Sequence, residues 1–230
     1  MATINAGKYG TLRSDSTSSW SGVRDASTAT STISNQPTSS TGITASITYL
    51  TGGKGSEWGL YRAYFAFDVT SYQTGYTITN LELEIDPSNL TSSNFPYAII
   101  KSTAQGNANS DLVAGDWDSL DFSTLYAGSS STYWPDTNTV SQISLNSSAI
   151  SAFSTGYLKL CIVWYMDYAN VAPLLTGNYY ARQNFSYVPR INFTATPTTW
   201  SGGDVINVDP GDISKIINVG TANINDVIGV

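Results

Sequence analysis

The chain has 230 residues, only 12% of them charged, and a net charge of −7; Ser, Thr, Asn and Gly fill its polar positions beside 15 Tyr and 6 Trp. Its ten Lys and Arg are scattered singly, so there is no basic stripe for nucleic acid, and no apolar run approaches the roughly 18 residues of a membrane span. It contains no histidine, which excludes Ser-His-Asp and Cys-His catalysis and every His-ligated metal.

The length suits one large β domain plus an appendage. The N-terminal segment has no apolar export signal. Residues 14–46 are rich in Ser and Thr with weak periodicity, which predicts a hairpin or long loop and then a strand near 43–50. Tyr61, Ala63, Phe65, Phe67 and Val69 alternate, so they should share one strand face. Over 78–86, Leu81, Leu83 and Ile85 should point inward and Glu82, Glu84 and Asp86 outward, the pattern of an antiparallel sheet with one wet face. Asn146 or Ser147 can cap a short helix whose Ile150 and Phe153 fall on one side. The segment 158–166 is apolar on both faces and predicts a central strand; it holds Cys161, the one cysteine, expected to be a buried and inert thiol. Residues 188–193 should form the closing strand, with Pro189 near its start where a missing N–H is tolerated. Short strands recur with Gly, Asn, Asp and Ser between them, so the fold class is all-β, an antiparallel jelly-roll β-sandwich over residues 1–195.

Residues 196–204 read as a linker into a repeated tail, 205–230. Val205-Ile206-Asn207-Val208 recurs eleven residues later as Ile216-Ile217-Asn218-Val219, and again as Val227-Ile228-Gly229-Val230. Ile213 and Ile224 share that offset. A module this small cannot bury its apolar face alone, and an exposed β-branched edge invites association. The tail should therefore dock on a sister copy, a neighbouring subunit or its own domain.

Two carboxylates about 5 or about 6.5–9.5 Å apart would suffice for a glycosidase, and Glu82 and Glu84 are suitably spaced on one strand face. Alternation places them in solvent, however, and a general acid needs burial to raise its pKa. The densest acidic run, Asp111, Asp116, Asp118 and Asp121, could supply part of a calcium shell of six to eight oxygens, although loop solvation and turn capping account for it more simply. A sugar platform needs aromatic faces beside amides and carboxylates. Trp117, Tyr126, Tyr133 and Trp134 lie close in sequence to Asp136 and Asn138, and Trp58, Tyr61 and Tyr179 flank other turns.

Arg62-Ala63-Tyr64-Phe65-Ala66-Phe67-Asp68, followed by Ile78-Thr79-Asn80-Leu81-Glu82-Leu83-Glu84-Ile85, resembles the signature of jelly-roll domains of the DNRLRE type, which are related to carbohydrate-binding modules. Asn80 and Leu81 stand where that family has Ala. Asp116-Trp117 through Tyr126 resembles its variable aromatic loop, 143–150 its strand and short helix, 158–167 its apolar strand ending in Asp167, and 189–193 its terminal strand. The resemblance spans about residues 2–195 and implies a jelly roll, with Asp68 in a buried structural ion pair with an arginine, Arg62 or Arg190. That fold serves sugar-binding modules, cell-wall proteins and virion proteins alike. The tail is similar to short repeats at the ends of tailed-phage structural proteins.

These observations predict a non-enzymatic virion structural protein, a phage capsid decoration or fibre component. It would assemble as a homo-oligomer, a trimer by preference, through Val205, Ile206, Val208, Ile213, Ile216, Ile217, Val219, Ile224, Val227, Ile228 and Val230. Its expected partners are other virion proteins and a cell-surface glycan, with no cofactor apart from the calcium candidate. Such a protein is made in a host cytoplasm and resides in the particle. The alternative is a secreted, extracellular carbohydrate-binding module acting as a monomer.

Overall fold

A computed structural model describes residues 1–16, 19–34, 43–52, 55–88, 96–133, 140–174, 179–185 and 188–198. The predicted tail, 205–230, and the platform candidates Trp134, Asp136 and Asn138 lie outside the described residues.

The strands are β1 (Ala2–Asn5), β2 (Lys8–Ser16), β3 (Ser31–Ser34), β4 (Ile43–Gly52), β5 (Gly55–Asp68), β6 (Tyr76–Ile85), β7 (Pro87–Ser88), β8 (Pro96–Ser102), β9 (Leu120–Tyr133), β10 (Ser141–Ser144), β11 (Tyr157–Trp164), β12 (Tyr179–Phe185) and β13 (Arg190–Pro197). Three short helices interrupt them: α1 (Trp20–Arg24), α2 (Ser147–Ser151) and α3 (Tyr165–Tyr168). Two antiparallel sheets pack together as an all-β sandwich, the fold class expected from the strand spacing. The smaller sheet has the order β1-β13-β6-β10, and the larger runs β7-β12-β4-β5-β11-β8-β9, with β2 and β3 attached beside β5. First and last described strands are neighbours: Ala2 faces Phe193 and Asn5 faces Arg190. β13 extends to Pro197, paired with Tyr76, so the sandwich continues two residues beyond the expected boundary at 195.

β5 is the hub of the larger sheet. One of its edges pairs with β2 from Trp58 to Ala66; the other is divided between β4, over 55–61, and β11, over 63–68. The predicted central strand is β11, flanked by β5 and β8. On one face of β5 and β11 lie Phe65, Phe67, Leu158 and Leu160; on the opposite face lie Arg62, Tyr64, Ala66 and Cys161. Both sets are buried. The alternating Tyr61–Val69 face is correct, but its reverse face is not wet: a second layer made of α1, the turn Ala114–Asp118 and α3 covers it.

β5 stops where Asp68 Oδ1 accepts hydrogen bonds from the Thr70 N–H, at 3.0 Å, and hydroxyl, at 2.6 Å. Such a local side-chain bond replaces the next ladder pair. Asp68 is exposed and is not the buried partner of an arginine, which corrects that expectation. The helix expected after Asn146 is present as α2; Asn146 Oδ1 accepts from the N–H groups of Ser148 and Ala149. Leu81, Leu83 and Ile85 point into the core as predicted. Glu84 does not point into solvent: it is 4% exposed. Cross-strand neighbours Arg190 and Gln142 flank it and cover it, a consequence of β6 lying between two strands.

Candidate functional site

The fully buried Arg62 organises the second layer. Its Nε and Nη2 each donate at 2.8 Å to Asp167, one carboxylate oxygen apiece, while Nη1 donates to the Trp117 carbonyl at 2.9 Å and Nη2 to the Arg24 carbonyl at 3.0 Å. The guanidinium lies 4.0 Å from the Trp117 ring centroid, and the Tyr64 hydroxyl donates to the Trp117 carbonyl. Burial pulls the Arg62 charge down, but Asp167 outweighs it and raises the pKa above that of ordinary arginine. Arg62 and Asp167 thus form a paired, fully buried structural network with no opening for a reactant.

Trp117 is therefore not a sugar platform. Its ring is wholly buried, whereas stacking on a pyranose requires an accessible face. Tyr126 is 1% exposed and lies on β9 rather than on a loop, and burial pushes its hydroxyl up to about 12. Tyr133, at the far end of β9, is exposed. Trp58 and Tyr179 do converge, but into a ring cluster: Trp20 meets Trp58 at 5.6 Å and Trp164 at 6.3 Å, and Trp164 stacks on Tyr179. The result is packing under α1.

The four aspartates of the calcium candidate do not converge. Among the described residues, no three acidic or thiol side chains group closely enough to hold a metal ion. Asp111 pairs with Lys8. Asp116 accepts from the Val113 and Gln105 N–H groups, tying down its own turn. Asp121 accepts from Ser123 and Thr124, bonds that hold its carboxyl below the usual carboxylate range. Asp118 is exposed. Turn capping, which saturates carboxylates one at a time, is what Asp116 and Asp121 do.

Glu82 and Glu84 are separated by circumstance as well as by position. Glu84 accepts from Arg190 Nε at 2.6 Å and Asn192 Nδ2 at 2.6 Å. Burial pushes its pKa up, and the hydrogen bonds from Arg190, Asn192 and Gln142 more than reverse that, leaving it below the ordinary glutamate value. A general acid needs the opposite shift.

A cleft of about 390 Å³ remains on the larger sheet, a site that sequence reasoning did not find. Its first wall is the end of β8 (Lys101, Ser102) with Thr103, beside the start of β11 (Tyr157, Lys159); Lys101 faces Leu160 across the ladder, so the two strand ends lie side by side. Thr124 and Tyr126 of β9 supply a second wall. Ser148 and Ser151 of α2, with Ala152 and Thr155 of the following turn, close the third. Asn146 fixes that wall to β9: its side-chain amide donates to the Leu125 carbonyl at 2.7 Å, and its N–H donates to the Tyr126 carbonyl. The chain then turns back at Gly156, whose φ of 82° caps the turn in the left-handed region that glycine adopts without strain. Lys159 Nζ donates to the Gln105 carbonyl at 2.9 Å. Burial lowers its pKa, and Asp116 pulls in the other direction. A lysine inside the apolar segment 158–166 was the one sequence signal for this cleft.

No family model matches the chain, and no curated protein matches it significantly.

Proposed function

We propose that this chain is a non-enzymatic structural protein of a virus particle, a capsid decoration or fibre component, that assembles as a homo-oligomer through residues 205–230. The eleven-residue repeat in that segment carries the reading. Three β-branched clusters at fixed offset form a module that needs an adjoining surface to bury its apolar side. Docking of three such tails against one another supplies that surface, and a trimer is the preferred state. Other particle proteins are the remaining partners, and the protein resides in the particle after synthesis in a host cytoplasm.

A non-enzymatic role is favoured by three features of the chain. It has no histidine. Glu84 is held as a carboxylate by three donors. The strongest buried charge pair, Arg62 with Asp167, is sealed under Trp117. A particle subunit has need of such a closed, rigid body.

The second reading is a secreted carbohydrate-binding module working as a monomer, favoured by the hydroxyl-lined cleft beside α2. Solution mass separates the two. Light scattering should give a trimer or larger for the full chain and a monomer for a chain ending at Trp200, which removes nothing of β13. Monomers in both cases would overturn assembly through the tail and leave the monomeric module as the working reading.

A further inference from the structure

The geometry points to the cleft between α2 and the ends of β8 and β11 as a binding site for a small polyhydroxylated carboxylate, a sugar acid of about hexuronate size. The inference stands apart from assembly through the tail, because every cleft residue belongs to the sandwich body.

Three observations carry it. First, the lining holds two lysines and no carboxylate, in a chain with 17 acidic and only 10 basic side chains. Lys101 forms a long ion pair with Asp121, at 3.8 Å, beyond hydrogen-bond length, so its N–H donors are not taken up by that carboxylate. Asp121 is instead committed to Ser123 and Thr124 within its own turn. Lys159 donates to the carbonyls of Gln105, at 2.9 Å, and Thr103, at 3.5 Å, so an ammonium with three protons retains one. Second, the hydroxyls of Thr103, Ser148 and Tyr157 enter no hydrogen bond among the described residues, and they lie on two walls of the cleft, Thr103 and Tyr157 on the first and Ser148 on the third. Hydroxyl groups that both donate and accept, set around a common space, match a ligand that does the same in several directions. Third, the volume of about 390 Å³ lies at the small end of ligand cavities and suits one ring rather than a chain of sugars. A carboxylate on that ring would take charge-assisted bonds from Lys101, which are stronger than those from a neutral donor. The wall formed by α2 is preset by Asn146, so little ordering is required on binding.

Saturation-transfer NMR on the full chain tests this with glucuronate and glucose as observed probes and sulfate, which has no protons to observe, as a competitor of glucuronate. Saturable transfer to glucuronate is expected, with affinity at least about tenfold above that for glucose and for sulfate. Lys101→Gln, at an exposed position, should weaken glucuronate about tenfold and leave glucose unchanged. Ser148→Ala and Tyr157→Phe should weaken both sugars. Equal affinity for glucose would overturn the carboxylate, and equal affinity for sulfate would overturn the sugar ring. Absence of transfer, or transfer that Lys101→Gln and Ser148→Ala leave intact, would overturn the site. The light-scattering mass of each variant should equal that of the parent, which keeps this result separate from the test of assembly.

Discussion

Arg62 and Asp167 lie 105 positions apart and meet with no exposure on either side chain, through two parallel 2.8 Å hydrogen bonds. The pair joins β5 to α3, and the same guanidinium ties in the carbonyls of Trp117 and Arg24. Removing one partner leaves an uncompensated charge in a dry interior, which costs about 3–5 kcal/mol. Arg62→Met should lower unfolding stability by that amount in urea titration. The double variant Arg62→Met with Asp167→Leu should lose clearly less than the sum of the single losses, because no charge is then stranded. Additive losses would show that the pair acts only through its separate contacts.

Glu84 makes stability depend on pH. Its folded pKa lies below the unfolded value because Arg190, Asn192 and Gln142 together outweigh burial. Its contribution is therefore complete above the unfolded value, about 4.3, and disappears as pH falls through the lower folded value. Glu84→Gln should cost about 1.5–3 kcal/mol at neutral pH, the range for hydrogen bonds to a charged group. Thermal melts of both proteins from neutral to acid should show a gap that is constant down to mildly acid pH and closes below the ordinary carboxylate range. A gap that persists undiminished in strong acid would mean that the charge on Glu84 is not what stabilises the strand pair.

Much of the body was legible because periodicity reports faces directly. Leu81, Leu83, Ile85, Phe65 and Phe67 are buried where alternation placed them, and Asn146 caps the helix expected of it. Alternation says nothing, however, of what covers a face. It points Glu84 at solvent, yet a strand on either side brings Arg190 and Gln142 over it. Similarly, the turn at 114–118 folds back over β5, which converts Trp117 from a loop aromatic into a core ring. The partner of Arg62 is illegible in the sequence for a different reason: Asp167 is brought near it only by the pairing of β11 with β5. The cleft draws on β8, β9, α2 and β11 at once, so no local pattern announces it beyond Lys159 in an apolar strand.

Gly128 marks a place where the backbone, not a side chain, decides the residue. It lies on β9 opposite Ala98 in a stretch of repeated register shifts, with φ of 98°. An added Cβ would sit 2.2 Å from the Tyr97 carbonyl oxygen and 3.0 Å from the Ala98 Cα. Neither neighbour is a flexible side-chain end, so the strands themselves would have to part. Gly128→Ala should cost more than about 1 kcal/mol, since it combines a clash with a disfavoured φ. A urea midpoint unchanged within the scatter of ordinary surface substitutions, about 0.5 kcal/mol, would show that β9 shifts freely against β8.

Cys161 provides an internal probe of the buried layer. It is wholly buried between β5 and β8, facing Tyr64 and Ile100 across the ladders. Burial raises its thiol pKa well above the usual value; Arg62 opposes that and Asp167 adds to it. Because the thiolate is the reactive form, the native protein should resist an aromatic disulfide reagent at mildly alkaline pH, and urea should expose the thiol fully. Native labelling should be slower than denatured labelling by a factor on the order of 10³ or more, as expected when reaction requires opening of the fold. Arg62→Met should accelerate native labelling by lowering the stability of the same layer, whereas Lys101→Gln, on the exposed rim of the cleft, should not. Rapid native labelling of the parent would mean that the layer over β5 and β11 opens locally, without loss of the sandwich, and the Arg62–Asp167 pair would then hold a lid rather than a core.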